Sequence, residues 1–257
     1  MIYNLYKNRG ETPLECIQRF AKATPELKGQ KMTYMGRLDP LAEGVLLMAS
    51  GEDVKRKEEF LGLDKEYDFV SIFGFATDSY DILGKIMRVE KLHELLESDV
   101  RRVTMIYEGE REQEYPFYSS KMIASRKSRK KKDSEDVPIK NITIHKIQFH
   151  GLDLLNSKEL FSRLLMDISK VTGDFRQHEI LTLWKQVLFG FPSPDQGEGH
   201  AKRGVGYFIG KFSAYVSSGT YIRGLVNDMG NTLGCGATTL SIRRTRVGNY
   251  KIEDSIK

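Results

Sequence analysis

Asp39 has the surroundings best suited to chemistry in this sequence. It stands in Gly36-Arg37-Leu38-Asp39-Pro40-Leu41-Ala42-Glu43-Gly44, between two leucines and just ahead of the apolar run 45–49. Proline at 40 fixes its own φ and drives Asp39 toward extended backbone, so the carboxylate is aimed. A carboxylate among leucines loses hydration and needs a cation partner, or its pKa rises. Read alone, the stretch fits an ordinary Asp-Pro surface turn better than a site. Two distant segments offer complementary groups: Lys65-Glu66-Tyr67-Asp68-Phe69 an aromatic hydroxyl, and Gly219-Thr220-Tyr221-Ile222-Arg223 a tyrosine and a guanidinium. A carboxylate, a guanidinium and two tyrosines suit a site that stacks a planar base and performs covalent catalysis on it. Asp39 is then a nucleophile or general base, with Arg223 as its charge-assisted partner. The plainer alternatives are a core Tyr67 and a surface Arg223.

Such groups need a scaffold, and 257 residues suffice for a full core. With 29% charged and 40% hydrophobic residues, the chain reads as a soluble globular protein. The net charge of +5 is modest, but it is clustered in Arg126, Lys127 and Arg129 to Lys132, and in Arg243, Arg244 and Arg246. Such blocks suit a polyanion, although the first alone equally fits a solvated loop. Cys16 and Cys235 have neither metal nor redox spacing, which fits a reduced, cytoplasmic setting. An apolar leader is not evident, and no apolar run approaches the ~18 residues of a membrane span. The five histidines show no ligand spacing, and no glycine-rich phosphate loop follows a strand. A metal or nucleotide-cofactor enzyme is therefore disfavoured.

The pattern predicts strands over 2–6, 65–76, 85–89, 103–107 and 141–149, the last on the alternation of Ile142 and Ile144. Thr12-Pro13-Leu14-Glu15 combines an N-cap, a proline at the first helical position and a capping-box glutamate, so a helix starts there and runs to about 23. Further helices are expected over 52–61, over 91–102 and from 220 onward. Apolar residues at helical spacing over 160–171 and 180–188 predict a helical hairpin set between strands. The content is α+β without strict alternation, so a large, mostly antiparallel mixed sheet flanked by helices is expected.

Taken together, these motifs resemble the bacterial tRNA pseudouridine-55 synthases of the TruB type. Residues 36–44 resemble that family's G-x-L-D-P-x-A-x-G signature, and Lys65-Glu66-Tyr67 its K-x-Y strand. Thr77, Asp78, Asp81 and Gly84 resemble its T-D-x-x-D-x-x-G turn. Gly219 to Arg223 resemble G-T-Y-I-R, and Leu233 to Ala237 with Ile242-Arg243-Arg244 resemble the L-G-x-G-A…L-R-R ending. Weaker echoes lie at Lys7…Gly10…Thr12 and Gln113…Pro116…Tyr118-Ser119…Lys121.

The resemblance implies a pseudouridine synthase fold and the conversion of uridine 55 in the tRNA T-loop to pseudouridine. It implies Asp39 as the catalytic residue, Tyr67 stacked on the uracil, and Arg223 paired with Asp39. Lys7, Arg37, Lys121, Arg126, Arg129 and Arg243 become candidates for phosphate contact, and Tyr34, Thr77, Asp78, Tyr221 and Ile242 for substrate or RNA contact. No cofactor or metal is implied. The expected partner is the T-arm stem-loop of tRNA, met by a monomer away from any membrane.

Four departures stand out. Tyr34 occupies the place of the family's usual histidine, and the Lys/Arg run replaces the stretch that clamps the RNA stem. The helical hairpin has no counterpart in the common pattern, and no C-terminal domain of the PUA type is expected. One catalytic domain over 1–257 is expected, with a helical insertion and connector over 152–204. The alternatives are a synthase for another RNA uridine, or a non-catalytic tRNA-binding or folding protein.

Overall fold

Strand alternation is resolved here by one nine-stranded sheet, seen in a computed structural model that describes residues 1–119, 138–190 and 206–257. The strands are β1 (Ile2–Lys7), β2 (Met32–Met35), β3 (Ala42–Ser50), β4 (Lys65–Phe73), β5 (Phe75–Thr77), β6 (Ile86–Val89), β7 (Gly109–Glu114), β8 (Ile139–Leu155), β9 (Tyr207–Val216), β10 (Ala237–Val247) and β11 (Tyr250–Lys251). The α-helices are α1 (Pro13–Ala23), α2 (Lys57–Leu61), α3 (Glu97–Ile106), α4 (Ser157–Ile168), α5 (Gln177–Phe189) and α6 (Ile222–Thr232). The sheet runs β1-β3-β10-β4-β9-β8-β7, with β2 added to β3 and β11 to β10, and β5 pairs separately with β6. Every ladder is antiparallel except β3 with β10. That one parallel pairing brings Ala42, Glu43 and Gly44 beside Ile242, Arg243 and Arg244. Gly44 is needed there: at φ +106, a Cβ would lie 2.2 Å from the Arg244 carbonyl oxygen.

Bulges explain how long strands keep one apolar face. In β8, Ile142 and Ile144 share a cluster with Ile147 and Phe149, although their parity differs. The register shift between Ile144 and Lys146 restores the phase. The same device between Thr239 and Ser241 lets Ala237 and Ile242 of β10 face one way while Leu240 faces the other.

One face of the central sheet packs on α3 and α6 through Val100, Val103, Leu225, Val226 and Met229, against Phe69 and Phe212. The other carries α4 and α5, with Leu160, Leu164, Ile180 and Trp184 against Ile72, Ile209 and Leu240. Burying each such side chain contributes roughly 1.5–3 kcal/mol. The α1 capping box forms as expected, Glu15 N donating to Thr12 Oγ1 at 3.2 Å and Thr12 N to Glu15 Oε2 at 2.7 Å.

Several sequence expectations are corrected. The run 65–76 is two strands, broken at Gly74, whose N–H donates to Gly236 O and whose carbonyl accepts from Glu90 N. Residues 103–106 belong to α3, because Val100, Val103 and Thr104 share a buried helical face, and 91–96 lie outside it. Residues 51–56 form a 3-10 helix before the short α2. Residues 152–155, expected in the insertion, extend β8 and pair with β9. The connector at 191–204 lies outside the described residues. Among the described residues, no helix is long and apolar enough to cross a membrane.

Candidate active site

The Asp39 loop leads into β3, and its position is fixed from beneath by two buried cations. Lys7, at the end of β1, is fully buried and donates through Nζ to Pro40 O at 3.2 Å, Ala42 O at 2.6 Å and Asn8 O at 3.1 Å. Burial lowers its pKa to about 8. Arg244, at 1% exposure, donates from Nε to Val45 O at 2.7 Å, from Nη1 to Arg37 O at 3.3 Å and from Nη2 to Gly36 O at 3.0 Å. These bonds give buried donors to carbonyls of the loop and of the start of β3. Both cations therefore serve the shape of the loop.

Above them, Arg223 meets the carboxylate. Tyr221 is the N-cap of helix α6, and the second residue of the helix, Arg223, is buried. Its Nε donates to Asp39 Oδ2 at 2.7 Å and its Nη2 to Asp39 Oδ1 at 3.2 Å, a bidentate pair. Nη1 donates to the carbonyl of Ser79, and Asp81 Oδ2 lies 3.7 Å from Nε. The Asp39 side chain remains 33% exposed against 4% for Arg223. Thus one edge of the carboxylate is gripped and the rest is accessible.

The charges here balance unevenly. Burial pushes the Asp81 carboxyl upward and Arg223 opposes it; Ser79 Oγ at 2.6 Å and Leu83 N at 3.0 Å also donate to Asp81 Oδ1. For Arg223, burial alone would lower the pKa, but Asp39 and Asp81 outweigh it and the net shift is upward. The guanidinium therefore stays charged.

Aromatic groups border this pair. Tyr67 is buried in the same apolar cluster as Leu38 and Ile222, the chain neighbours of Asp39 and Arg223. Tyr221 packs edge-on to Tyr115 at 5.7 Å, and burial raises its phenol pKa. The start of α6 is held by Gln113, whose Oε1 accepts from Tyr221 N at 2.8 Å and whose Nε2 donates to Tyr221 O at 3.0 Å.

The structure thus brings Asp39, Tyr67 and the Tyr221–Arg223 segment together from three distant parts of the chain. Other candidate contacts are placed differently. Lys7 and Ile242 are buried, so neither offers a surface to RNA. Thr77 is buried too, its Oγ1 donating to Asp81 O at 2.8 Å. Asp78 accepts from Lys85 N at 2.8 Å and Tyr118 OH at 3.1 Å, so it shapes its own loop. Tyr34 is half-buried against the α1 core. Arg37 is exposed, and Arg243, half-exposed, pairs with Asp68 at 2.8 Å. Lys121, Arg126 and Arg129 lie outside the described residues. Of the C-terminal basic block, Arg244 is internal and Arg246 pairs with Glu66, so it is not a free cationic patch.

Sequence reasoning missed the loop-shaping role of Lys7 and Arg244. Strand alternation carried a signal for Lys7, which shares the inward parity of Leu5. For Gln113 the sequence held only a faint echo.

A family model described as TruB family pseudouridylate synthase (N terminal domain) matches residues 25–172. Curated relatives called tRNA pseudouridine synthase B include that of Clostridium tetani, 26% identical over 255 residues, covering 99% of this chain and 70% of the relative. That of Chlamydia muridarum is 27% identical over 252 residues, covering 97% and 81%. Among solved structures, a chain of a Cbf5-Nop10-Gar1 complex superposes with a TM-score of 0.57 at 20% identity, over 97% of this chain. A chain of an H/ACA RNP bound to a substrate RNA containing 2'-deoxyuridine gives 0.55 at 19% identity, over 97% of this chain. This chain spans about half the length of both, 49% and 48%. The likeness to these structures is one of fold.

Proposed function

The chain belongs to the TruB family of pseudouridylate synthases, and from that premise we propose that it is a tRNA pseudouridine synthase that isomerises uridine 55 of the T-loop, with Asp39 as the catalytic group. The observation that carries this reading is the bidentate Asp39–Arg223 pair, in which a buried guanidinium grips a partly accessible carboxylate.

In the reaction the N1–C1′ bond of uridine breaks, the base turns, and C5 bonds to C1′. The C5 proton leaves and N1 gains one, so atoms balance without oxidant or reductant. The uridine must first leave its stack, at a cost of a few kcal/mol offset by pocket contacts. Asp39 acts as an anion, whether by attack on the nucleotide or by taking a ribose proton. Arg223 pairs with it and aims it. Tyr67 stacks on the uracil, and Tyr221 walls the pocket. Arg37 and Arg243 contact phosphates and position the RNA.

The test uses transcript tRNA labelled with tritium at C5 of uridine, because the product has the mass of the substrate. The wild-type protein is expected to release one tritium per tRNA, with a carbodiimide-dependent primer-extension stop at position 55. A stop elsewhere reassigns the target; no release refutes the enzymatic reading.

A further inference from the structure

The α4–α5 hairpin reaches both loops that meet at Arg223, and it does so with polar anchors as well as apolar packing. At the end of α4, Asp167 is 1% exposed and accepts from Arg9 Nη1 at 2.8 Å, while Arg9 Nη2 donates to Glu43 Oε1 at 3.2 Å. Glu43 lies four residues beyond Asp39. Beside it, Thr172 N donates to Gly10 O at 3.1 Å, and Gly10 N donates to Pro40 O at 2.8 Å. A Cβ on Gly10, which sits at φ +93, would come within 2.1 Å of Lys170 O, so hairpin and loop meet backbone to backbone. On the other side, Trp184 of α5 is fully buried and donates from Nε1 to Ile82 O at 3.1 Å. Ile82 follows Asp81, and its N–H donates to Thr239 O at 3.2 Å. Leu41 and Leu83, two residues beyond Asp39 and Asp81, share the apolar cluster of the hairpin.

A helical pair that only covered the sheet would need no such anchors. Buried ion pairs add little net stability against apolar substitutes, yet they fix geometry when they bridge two elements. We infer that the α4–α5 hairpin is a positioning device for the reaction, in which Asp167 and Trp184 set the two loops that carry Asp39 and Asp81 against Arg223. This inference rests on the functional reading above for its effect on turnover, but its structural half can be tested without activity.

The experiment compares Asp167→Asn and Trp184→Phe with Leu27→Ala, a core truncation beneath α1 that serves as a control for lost stability. All are assayed well below their unfolding transitions. Both hairpin variants are expected to lose about tenfold in kcat with KM for tRNA within about twofold, because misaimed groups slow chemistry more than binding. Leu27→Ala should keep kcat within about twofold at a comparable loss of Tm. Hydrogen exchange should quicken about tenfold at the Gly10 and Ala42 amides in Asp167→Asn, and at Ile82 and Leu83 in Trp184→Phe. Unchanged kcat, or exchange quickened only inside the hairpin, overturns the inference. If the wild-type protein converts no uridine, the functional reading fails, and the exchange pattern alone decides the brace.

Discussion

Two buried arginines, one from α6 and one from β10, converge on the 36–44 loop, and they do different work. Arg223 grips a side-chain carboxylate that remains one-third accessible. Arg244 grips three backbone carbonyls and no acid. One aims an accessible carboxylate; the other sets the path of the chain that carries it. The difference shows that a buried cation is read by its partner, because only a titratable, accessible partner has a reaction to offer.

Removing Arg223 should break this comparison most sharply. Arg223→Met leaves Asp39 and Asp81 without their shared cation, and the cost of breaking such a pair is about 3–5 kcal/mol, or roughly 10²- to 10⁴-fold in turnover. Single-turnover tritium release should show that loss while tRNA affinity changes about threefold or less. An equal loss of affinity would move Arg223 to RNA binding. Arg244→Met should instead cost stability, about 3 kcal/mol by urea unfolding for three stranded carbonyls, with kcat within about tenfold of wild type below the transition. A stable but inactive Arg244→Met would erase the contrast.

The buried charges beside each arginine sharpen it through pH. Lys7 titrates near pH 8 when folded and near its ordinary 10.5 when unfolded, so the unfolded chain binds more protons in that window. Its contribution to stability therefore rises with pH from about 8 to 10.5, and Lys7→Met should flatten that rise. Asp81 is raised above 3.8, so the folded chain holds the proton longer and the Asp81 contribution falls as pH climbs above 3.8. Asp81→Asn should remove that fall and lower kcat about tenfold, as read by urea unfolding across pH 4–7 and by tritium release. The smallest effect belongs to the half-exposed Arg243: Arg243→Gln should change stability by less than about 1 kcal/mol. It should also reduce the salt slope of tRNA binding by about one phosphate contact. An unchanged slope would remove Arg243 from the interface.

The sheet, α1, the hairpin and the start of α6 were readable because caps and periodicity are local signals. The α3 boundary was not, since Val103-Thr104-Met105-Ile106-Tyr107 is β-prone by composition, and packing of Val100 and Val103 on the sheet overrides that preference. The pairing of Asp39 with Arg223 follows from motif order, and it forms. Lys7 and Arg244 were misread as surface cations, because charge in a sequence suggests solvent and only tertiary carbonyls explain an inward one. The anchors Asp167 and Trp184 were out of reach for the same reason: their partners Arg9 and Ile82 lie more than a hundred residues away.

The most direct measurement is tritium release from C5-labelled transcript tRNA by Asp39→Asn, alongside its tRNA affinity. The amide keeps the shape and one acceptor for Arg223 but cannot supply an anion. Binding close to wild type with no detectable release is the predicted result. Turnover undiminished in Asp39→Asn would contradict the account.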